Sequence, residues 1–115
     1  MPAINFRKRF AEMVESGIKQ QTIRRERKHP IKVGDLLYLY TGMRTKYCRK
    51  IGEAVCKSME SITIDREGIK LGKCYLTGQQ QHDVAWADGF RHLYEFVDWF
   101  NKLYGLPFKG VLIEW

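Results

Sequence analysis

Short stretches of alternating hydrophobic and polar residues predict that this chain is rich in β-strands. The run Leu36-Leu37-Tyr38-Leu39-Tyr40 is almost continuously apolar, which is typical of a strand buried on both faces. The middle strands follow one another too closely for crossover helices, so we expect a mostly antiparallel sheet. The predicted strands cover residues 2–6, 20–25, 36–40, 51–55, 61–64, 69–76 and 111–115.

Two stretches with apolar residues at helical spacing predict amphipathic helices over residues 7–16 and 91–104. A shorter helix is predicted over residues 84–87, with Asp83 as its N-cap. The glutamine-rich segment 77–83 before it is polar and is predicted to be irregular. The order of elements favours an α+β domain, either an antiparallel sheet or a small barrel, with two helices packed on it.

The composition fits one globular domain, 1–115, because a chain of 115 residues holds a single hydrophobic core. Its formal net charge of +7 favours an anionic partner, such as RNA, another single-stranded nucleic acid or a nucleotide-like ligand. Solubility alone is the simpler explanation of the charge. No apolar stretch reaches the roughly 20 residues of a membrane helix, so we expect no membrane partner.

The three cysteines are spaced too widely for a zinc motif, and their odd number argues against a disulfide framework. They fit a reduced compartment, and we predict a cytoplasmic protein without a cofactor. The three histidines show no ligand-like spacing either, so no metal site is expected. These residues are Cys48, Cys56, Cys74, His29, His82 and His92.

The stretch from Gly17 to Arg24 gathers the strongest candidates for chemistry, since Lys19 and Thr22 lie three residues apart between a predicted helix and a predicted strand. A threonine hydroxyl becomes a nucleophile only when a base takes its proton. A lysine can be that base only if burial or a nearby cation lowers its pKa. A solvated lysine and an ordinary strand threonine are the alternative, because this spacing often arises by chance.

Basic side chains form two clusters that suit a nucleic-acid strand, with surface charge as the alternative for both. Arg24 and Arg25 are adjacent and would face opposite sides of a strand, so one of them can point into a pocket and bind phosphate or a base edge. In the second cluster an aromatic ring stands among the cations, where a base can stack on it. The candidate ligand-binding residues are Arg24, Arg25, Arg27, Lys28, Arg44, Lys46, Tyr47 and Arg49.

Asp88 is the most informative acidic residue, because it follows the apolar stretch 84–87 and precedes a Gly-Phe turn. Its carboxylate can pair with Lys19 or bind a ligand amine. The alternative is that it caps the helix that begins near Arg91, which is a common role for aspartate.

The pattern Gly17-x-Lys19-x-x-Thr22-x-Arg24, followed by Val33-Gly34-Asp35 and Asp88-Gly89-Phe90, resembles the ASCH domain family. That resemblance implies a PUA-like fold, a small β-barrel flanked by helices, and RNA binding in a cleft. One ASCH-type subfamily hydrolyses N4-acetylcytidine with a lysine, a threonine and a glutamate. Lys19 and Thr22 match the first two positions, whereas Asp88 stands at the acid position with a side chain one methylene shorter.

Three functions follow as expectations. The first is binding of RNA or a modified nucleoside in a basic cleft. The second is an amidohydrolase in which Lys19 is the base, Thr22 the nucleophile and Asp88 the acid, while Arg24 orients the substrate or stabilises the oxyanion. The third is a ribonuclease that uses Lys19, Arg24 and Asp88 around a scissile phosphate.

Overall fold

The computed structural model describes residues 2–115, which form an α+β architecture of eight strands and three helices. The helices are Lys8–Glu15 (α1), Gly78–Ala87 (α2) and Leu93–Tyr104 (α3). The strands are Ala3–Phe6 (β1), Gln21–Arg24 (β2), Leu36–Thr41 (β3), Arg49–Val55 (β4), Ser58–Asp65 (β5), Gly68–Leu71 (β6), Cys74–Tyr75 (β7) and Phe108–Glu114 (β8).

The strands form two sheets that do not close into a barrel. One sheet has the order β1-β3-β4 and the other the order β2-β8-β5-β6-β7. Only β1 and β3 run parallel among the described strand pairs, so the predicted mostly antiparallel arrangement is confirmed. Strands β1 and β2 are edges of different sheets, and Arg24 Nη2 on β2 reaches the Asn5 carbonyl oxygen on β1 at 2.6 Å.

Aromatic side chains from three parts of the chain hold the helices against the sheets. The rings of Phe10 and Phe90 lie 5.5 Å apart, and each also meets the ring of Trp99 edge-on. Phe96 of α3 is fully buried and packs on both Phe90 and Phe100. Rings bury a large apolar area each, and edge-on pairs add about 0.5–1.5 kcal/mol beyond that area. This cluster fixes where α3 stands relative to α1.

Helix α2 begins six residues earlier than predicted, and Asp83 is not its N-cap. Thr77 holds that position in a capping box: its hydroxyl accepts a hydrogen bond from the Gln80 backbone at 3.2 Å, while its own N–H donates to Gln80 Oε1 at 2.9 Å. This reciprocal pair stabilises the first turn, where backbone N–H groups lack helical partners. The glutamines therefore lie in the first turns of a helix, where Gln79 and Gln80 are exposed and Gln81 is half-buried.

Two strand predictions were also wrong in detail. Strand β3 is not buried on both faces, since Leu37 and Leu39 are buried while Leu36 and Tyr38 keep solvent contact. The predicted strand over residues 69–76 is a hairpin, because the chain turns back near Gly72, whose φ of 62° suits glycine. The edge strand, the first and last helices and the C-terminal strand agree with the predictions to within a few residues.

Three observations concern a membrane, the cysteine thiols and metal ions. None of the helices in the described part of the chain is long and apolar enough to cross a membrane. The three cysteines have free thiols; Cys56 is buried, and Cys48 and Cys74 are exposed. Within residues 2–115, no group of three or more His, Cys, Asp or Glu side chains is placed to hold a metal ion.

Candidate ligand-binding site

A cavity of about 250 Å³ opens where the edge strands β1 and β2 meet helices α1 and α3. Its position follows from the fold, because the two sheets leave their edges unpaired with each other at this point. Aromatic rings form much of its lining, and cationic and hydroxyl groups form the rest. The lining residues are Asn5, Phe6, Arg7, Phe10, Lys19, Thr22, Ile23, Arg24, Asp88, Trp99, Phe100, Leu103 and Tyr104.

Lys19 and Asp88 form a buried ion pair in this lining, as one of the sequence alternatives predicted. Lys19 Nζ donates to Asp88 Oδ1 at 2.9 Å and to the Asp88 backbone carbonyl at 2.6 Å. Both residues are buried, with 3% and 5% of their surface exposed. Because charged groups are rarely buried unless they are paired, the two side chains depend on each other.

Gln21 on β2 adds a third side chain to this ion pair. Its Nε2 donates to Asp88 Oδ1 at 3.2 Å and to the Val84 carbonyl at 3.3 Å, so it ties the carboxylate to the end of α2. Asp88 is the C-cap residue of α2 and does not cap α3, whose N-cap position is His92. The capping alternative for Asp88 is therefore wrong.

Burial shifts the pKa of both members of the ion pair toward their neutral forms. It lowers the pKa of the Lys19 ammonium below its ordinary value of 10.5, while the charge of Asp88 and its hydrogen bond oppose that shift. It raises the pKa of the Asp88 carboxyl above 3.8, opposed by Lys19 and by the hydrogen bond from Gln21. A lowered pKa increases the fraction of lysine present as the neutral amine near neutral pH, and only that form can accept a proton.

Thr22 and Arg24 lie on the same face of β2, because side chains two residues apart share a face. Arg24 Nε donates to Thr22 Oγ1 at 2.9 Å, and its guanidinium lies 5.1 Å from the Phe6 ring centre. Thr22 is buried, whereas Arg24 is half-buried. The hydroxyl is thus held next to a cation inside the cavity, where negative charge on its oxygen would be stabilised.

The remaining residues of the first basic cluster lie outside this cavity. Arg25 is exposed, with its guanidinium 4.8 Å from the ring centre of Tyr104, which does line the cavity. Arg27 Nη2 donates to the Ala3 carbonyl at 3.2 Å. Lys28 is exposed on the neighbouring surface. Of this cluster only Arg24 contributes to the cavity lining, whereas Arg24 and Arg25 both line a neighbouring hollow.

The second basic cluster lies on the β3–β4 connection and at the start of β4, and none of its predicted residues lines the cavity among the residues described. Arg49 pairs with Glu15 at 2.8 Å, and Lys46 lies 5.2 Å from the ring centre of Tyr47. Arg44 is exposed, as is Tyr47. The connection begins near the cavity, since the Met43 N–H donates to Asn5 Oδ1 at 3.0 Å.

Sequence reasoning missed Gln21 and most of the aromatic lining. The spacing of Lys19 and Gln21 was a usable signal, because residues two apart in an extended chain face the same side. Trp99 and Tyr104 both belong to the helix that the sequence predicted over residues 91–104. The helical pattern gave no sign that these two rings face the cavity.

Comparison of this chain with models of protein families, with curated proteins and with solved structures found no match.

Proposed function

We propose that the cavity binds a single nucleobase, either of a free or modified nucleoside or of an unpaired nucleotide in RNA. The observation that carries the proposal is the lining itself, in which Trp99 and Tyr104 accompany Lys19, Thr22 and Arg24. Aromatic rings accept the flat face of a base, and hydroxyl and cationic donors bind its polar edge. The volume is near the lower end of ordinary ligand pockets, which suits one base better than two.

The proposed function includes the ASCH assignment and its PUA-like fold, in which the two open sheets would correspond to the family's small barrel. Support for it is the Gly17-x-Lys19-x-x-Thr22-x-Arg24 pattern, whose three polar side chains share one cavity. We also propose a cytoplasmic location on the basis of the three free thiols, which suit a reducing compartment.

Nucleosides should bind saturably, and Trp99→Leu should weaken their binding by about tenfold, because stacking on an aromatic ring contributes roughly 1–3 kcal/mol per base. Calorimetric titration with cytidine, uridine, adenosine and N4-acetylcytidine measures this. Trp86→Leu is the matched control, since Trp86 is exposed and does not line the cavity. If no nucleoside binds, or if the two variants bind alike, the cavity is not a base site.

A second candidate function is hydrolysis of an acylated base amine, such as N4-acetylcytidine. It is favoured by the presence of Lys19, Thr22 and Asp88 in one lining, since a pocket that only binds a base has no need of a buried lysine–aspartate pair in the same cavity as a hydroxyl. Lys19 would first pass a proton to Asp88 across their 2.9 Å contact. Its neutral amine would then take the Thr22 hydroxyl proton while Thr22 Oγ attacks the acyl carbon. Lys19 would then return that proton to the departing base amine, and water would release the acid from the Thr22 ester.

The other two side chains would assist this reaction without forming bonds to the substrate. Asp88 would hold Lys19 in place through the 2.9 Å contact, and Arg24 would stabilise negative charge that develops at the reacting oxygens. The ribonuclease hypothesis stays a prediction, and the site gives it less support. Its base would be Asp88, whose carboxylate already accepts hydrogen bonds from Lys19 and Gln21.

If the chain is such a hydrolase, Thr22→Val should lower turnover of N4-acetylcytidine by at least about 10³-fold, because it removes the nucleophile at nearly constant volume. Release of acetate and cytidine measures the turnover. Thr22→Ser keeps a hydroxyl and should retain part of the activity. Full activity in Thr22→Val would show that Thr22 is not the nucleophile, while nucleoside binding could still stand.

A further inference from the structure

Two shallow hollows continue from the base cavity along the outer edge of β1. The first, of about 220 Å³, shares Asn5 and Arg24 with the cavity. The second, of about 490 Å³, shares Arg27 with the first hollow. The three depressions are therefore neighbours, in an order that starts at the base cavity and ends at the β2–β3 connection.

This surface is strongly cationic. One carboxylate, Asp35, belongs to the lining described for the two hollows, and its Oδ2 accepts the Lys32 N–H at 2.9 Å. Glu26 is exposed in the same connection. Four cations that are close together in sequence line the two hollows, and they outnumber these two carboxylates. They are Arg24, Arg25, Arg27 and Lys28.

Two of these arginines are held in place by the edge of β1. Arg24 Nη2 donates to the Asn5 carbonyl and Arg27 Nη2 to the Ala3 carbonyl, at 2.6 and 3.2 Å. Ala3 and Asn5 are two residues apart on a strand whose paired partner is β3, so these carbonyls face the open edge. A guanidinium has five N–H donors, so each arginine keeps donors for a ligand while its position is fixed.

We infer that the two hollows bind consecutive phosphates of a single-stranded nucleic acid whose unpaired base occupies the cavity. The inference rests on the proposed function and names its ligand: a strand is preferred to a free nucleoside. Phosphates fit because a guanidinium that is held in place can donate two parallel hydrogen bonds to one phosphate group. A single strand fits because a paired base cannot enter a cavity of this size without leaving its helix.

A short oligonucleotide should therefore bind more tightly than the nucleoside, and its affinity should fall as salt rises. The double variant Arg27→Gln/Lys28→Gln removes two cations from the hollow farther from the cavity and leaves the cavity lining untouched. We expect it to weaken binding of a five-nucleotide RNA by about tenfold or more near 0.1 M salt. The slope of log K against log salt should shrink by about 1.4, since each contact with a single strand contributes about 0.7.

The matched control is Arg66→Gln/Lys73→Gln, which removes the same charge near the opposite edge of the five-stranded sheet. Arg66 lies between β5 and β6 and Lys73 between β6 and β7, and both are exposed. This variant should lower oligonucleotide affinity only slightly. Nucleoside affinity should be unchanged in Arg66→Gln/Lys73→Gln, and in Arg27→Gln/Lys28→Gln it should fall much less than oligonucleotide affinity, because both residues lie outside the cavity lining. If the two double variants weaken oligonucleotide binding equally, the attraction is diffuse and the inference is overturned.

Further ligands separate this inference from the proposed function. RNA and DNA of the same sequence test whether the sugar matters, and tighter binding of either than of the nucleoside supports the inference. A nucleoside that binds as tightly as the oligonucleotide overturns the inference and leaves the base site standing. An abasic strand that binds as tightly as the intact one overturns the base site. Inorganic polyphosphate that binds as tightly as RNA overturns the assignment to nucleic acid.

Discussion

Lys19→Met should lower the free energy of unfolding by about 3–5 kcal/mol, because it leaves the buried Asp88 carboxylate without its cation. Urea denaturation measures the loss. Lys102→Met is the matched control, since Lys102 Nζ and Asp98 Oδ2 are also 2.9 Å apart, in a pair exposed on α3. Exposed pairs contribute little, so the control should unfold close to the original chain.

The double variant Lys19→Met/Asp88→Asn should recover much of the lost stability. It removes the unpaired charge, and the amide oxygen of asparagine can still accept the hydrogen bond from Gln21. Its nucleoside binding then shows whether the charges themselves are needed in the cavity. A Lys19→Met protein as stable as the Lys102→Met control would mean that the ion pair is not buried in solution.

Gly110→Ala should cost roughly 3 kcal/mol of stability and should also disturb the site. A Cβ on Gly110 would lie 2.3 Å from the Arg24 backbone carbonyl and 2.8 Å from the Phe108 ring. The first neighbour is main chain on β2, so it cannot rotate away, and overpacking of this kind costs about 1–3 kcal/mol or more. Moving β2 would displace Arg24 and Thr22, so we expect weaker nucleoside binding as well.

Gly52→Ala is the matched control for this substitution. Gly52 also lies within a strand, and a Cβ there would meet the Leu39 side chain at 3.7 Å, an ordinary contact. Thermal unfolding and nucleoside titration of both variants test the prediction. Equal behaviour of the two alanine variants would contradict the close approach of β8 to β2.

The sequence predicted the elements that its local patterns encode. The helical spacing of Phe10, Met13 and Val14 located α1, and the helix that ends at Gly105 was recognised with similar accuracy. The α2 error had a local cause too, because a capping box at Thr77 can begin a helix whose first six residues include no hydrophobic side chain. Hydrophobic periodicity gives no signal for such a helix.

Lys19, Thr22 and Arg24 were recognised as candidates because they lie within six residues of one another in the sequence. Side chains two residues apart on a strand share a face, which is enough to place Thr22 and Arg24 together. Asp88 was different, because it lies 69 residues from Lys19 in sequence. The residues around it left both pairing and capping open, and capping is the commoner role for an aspartate in such a place. Only the packing of α2 against β2 decides for pairing, and it does so with the help of Gln21.

The sequence by itself determined the α+β character, the positions of most strands, the positive charge and the polar candidates on β2. The tertiary structure decided that β1 and β2 are neighbouring edges of separate sheets, that α3 turns Trp99 and Tyr104 toward them, and that Asp88 meets Lys19. The physical reason is the distance along the chain over which each kind of structure is encoded. Helix and strand periods repeat within a few residues, whereas sheet edges and cavities form from contacts between segments far apart in the chain.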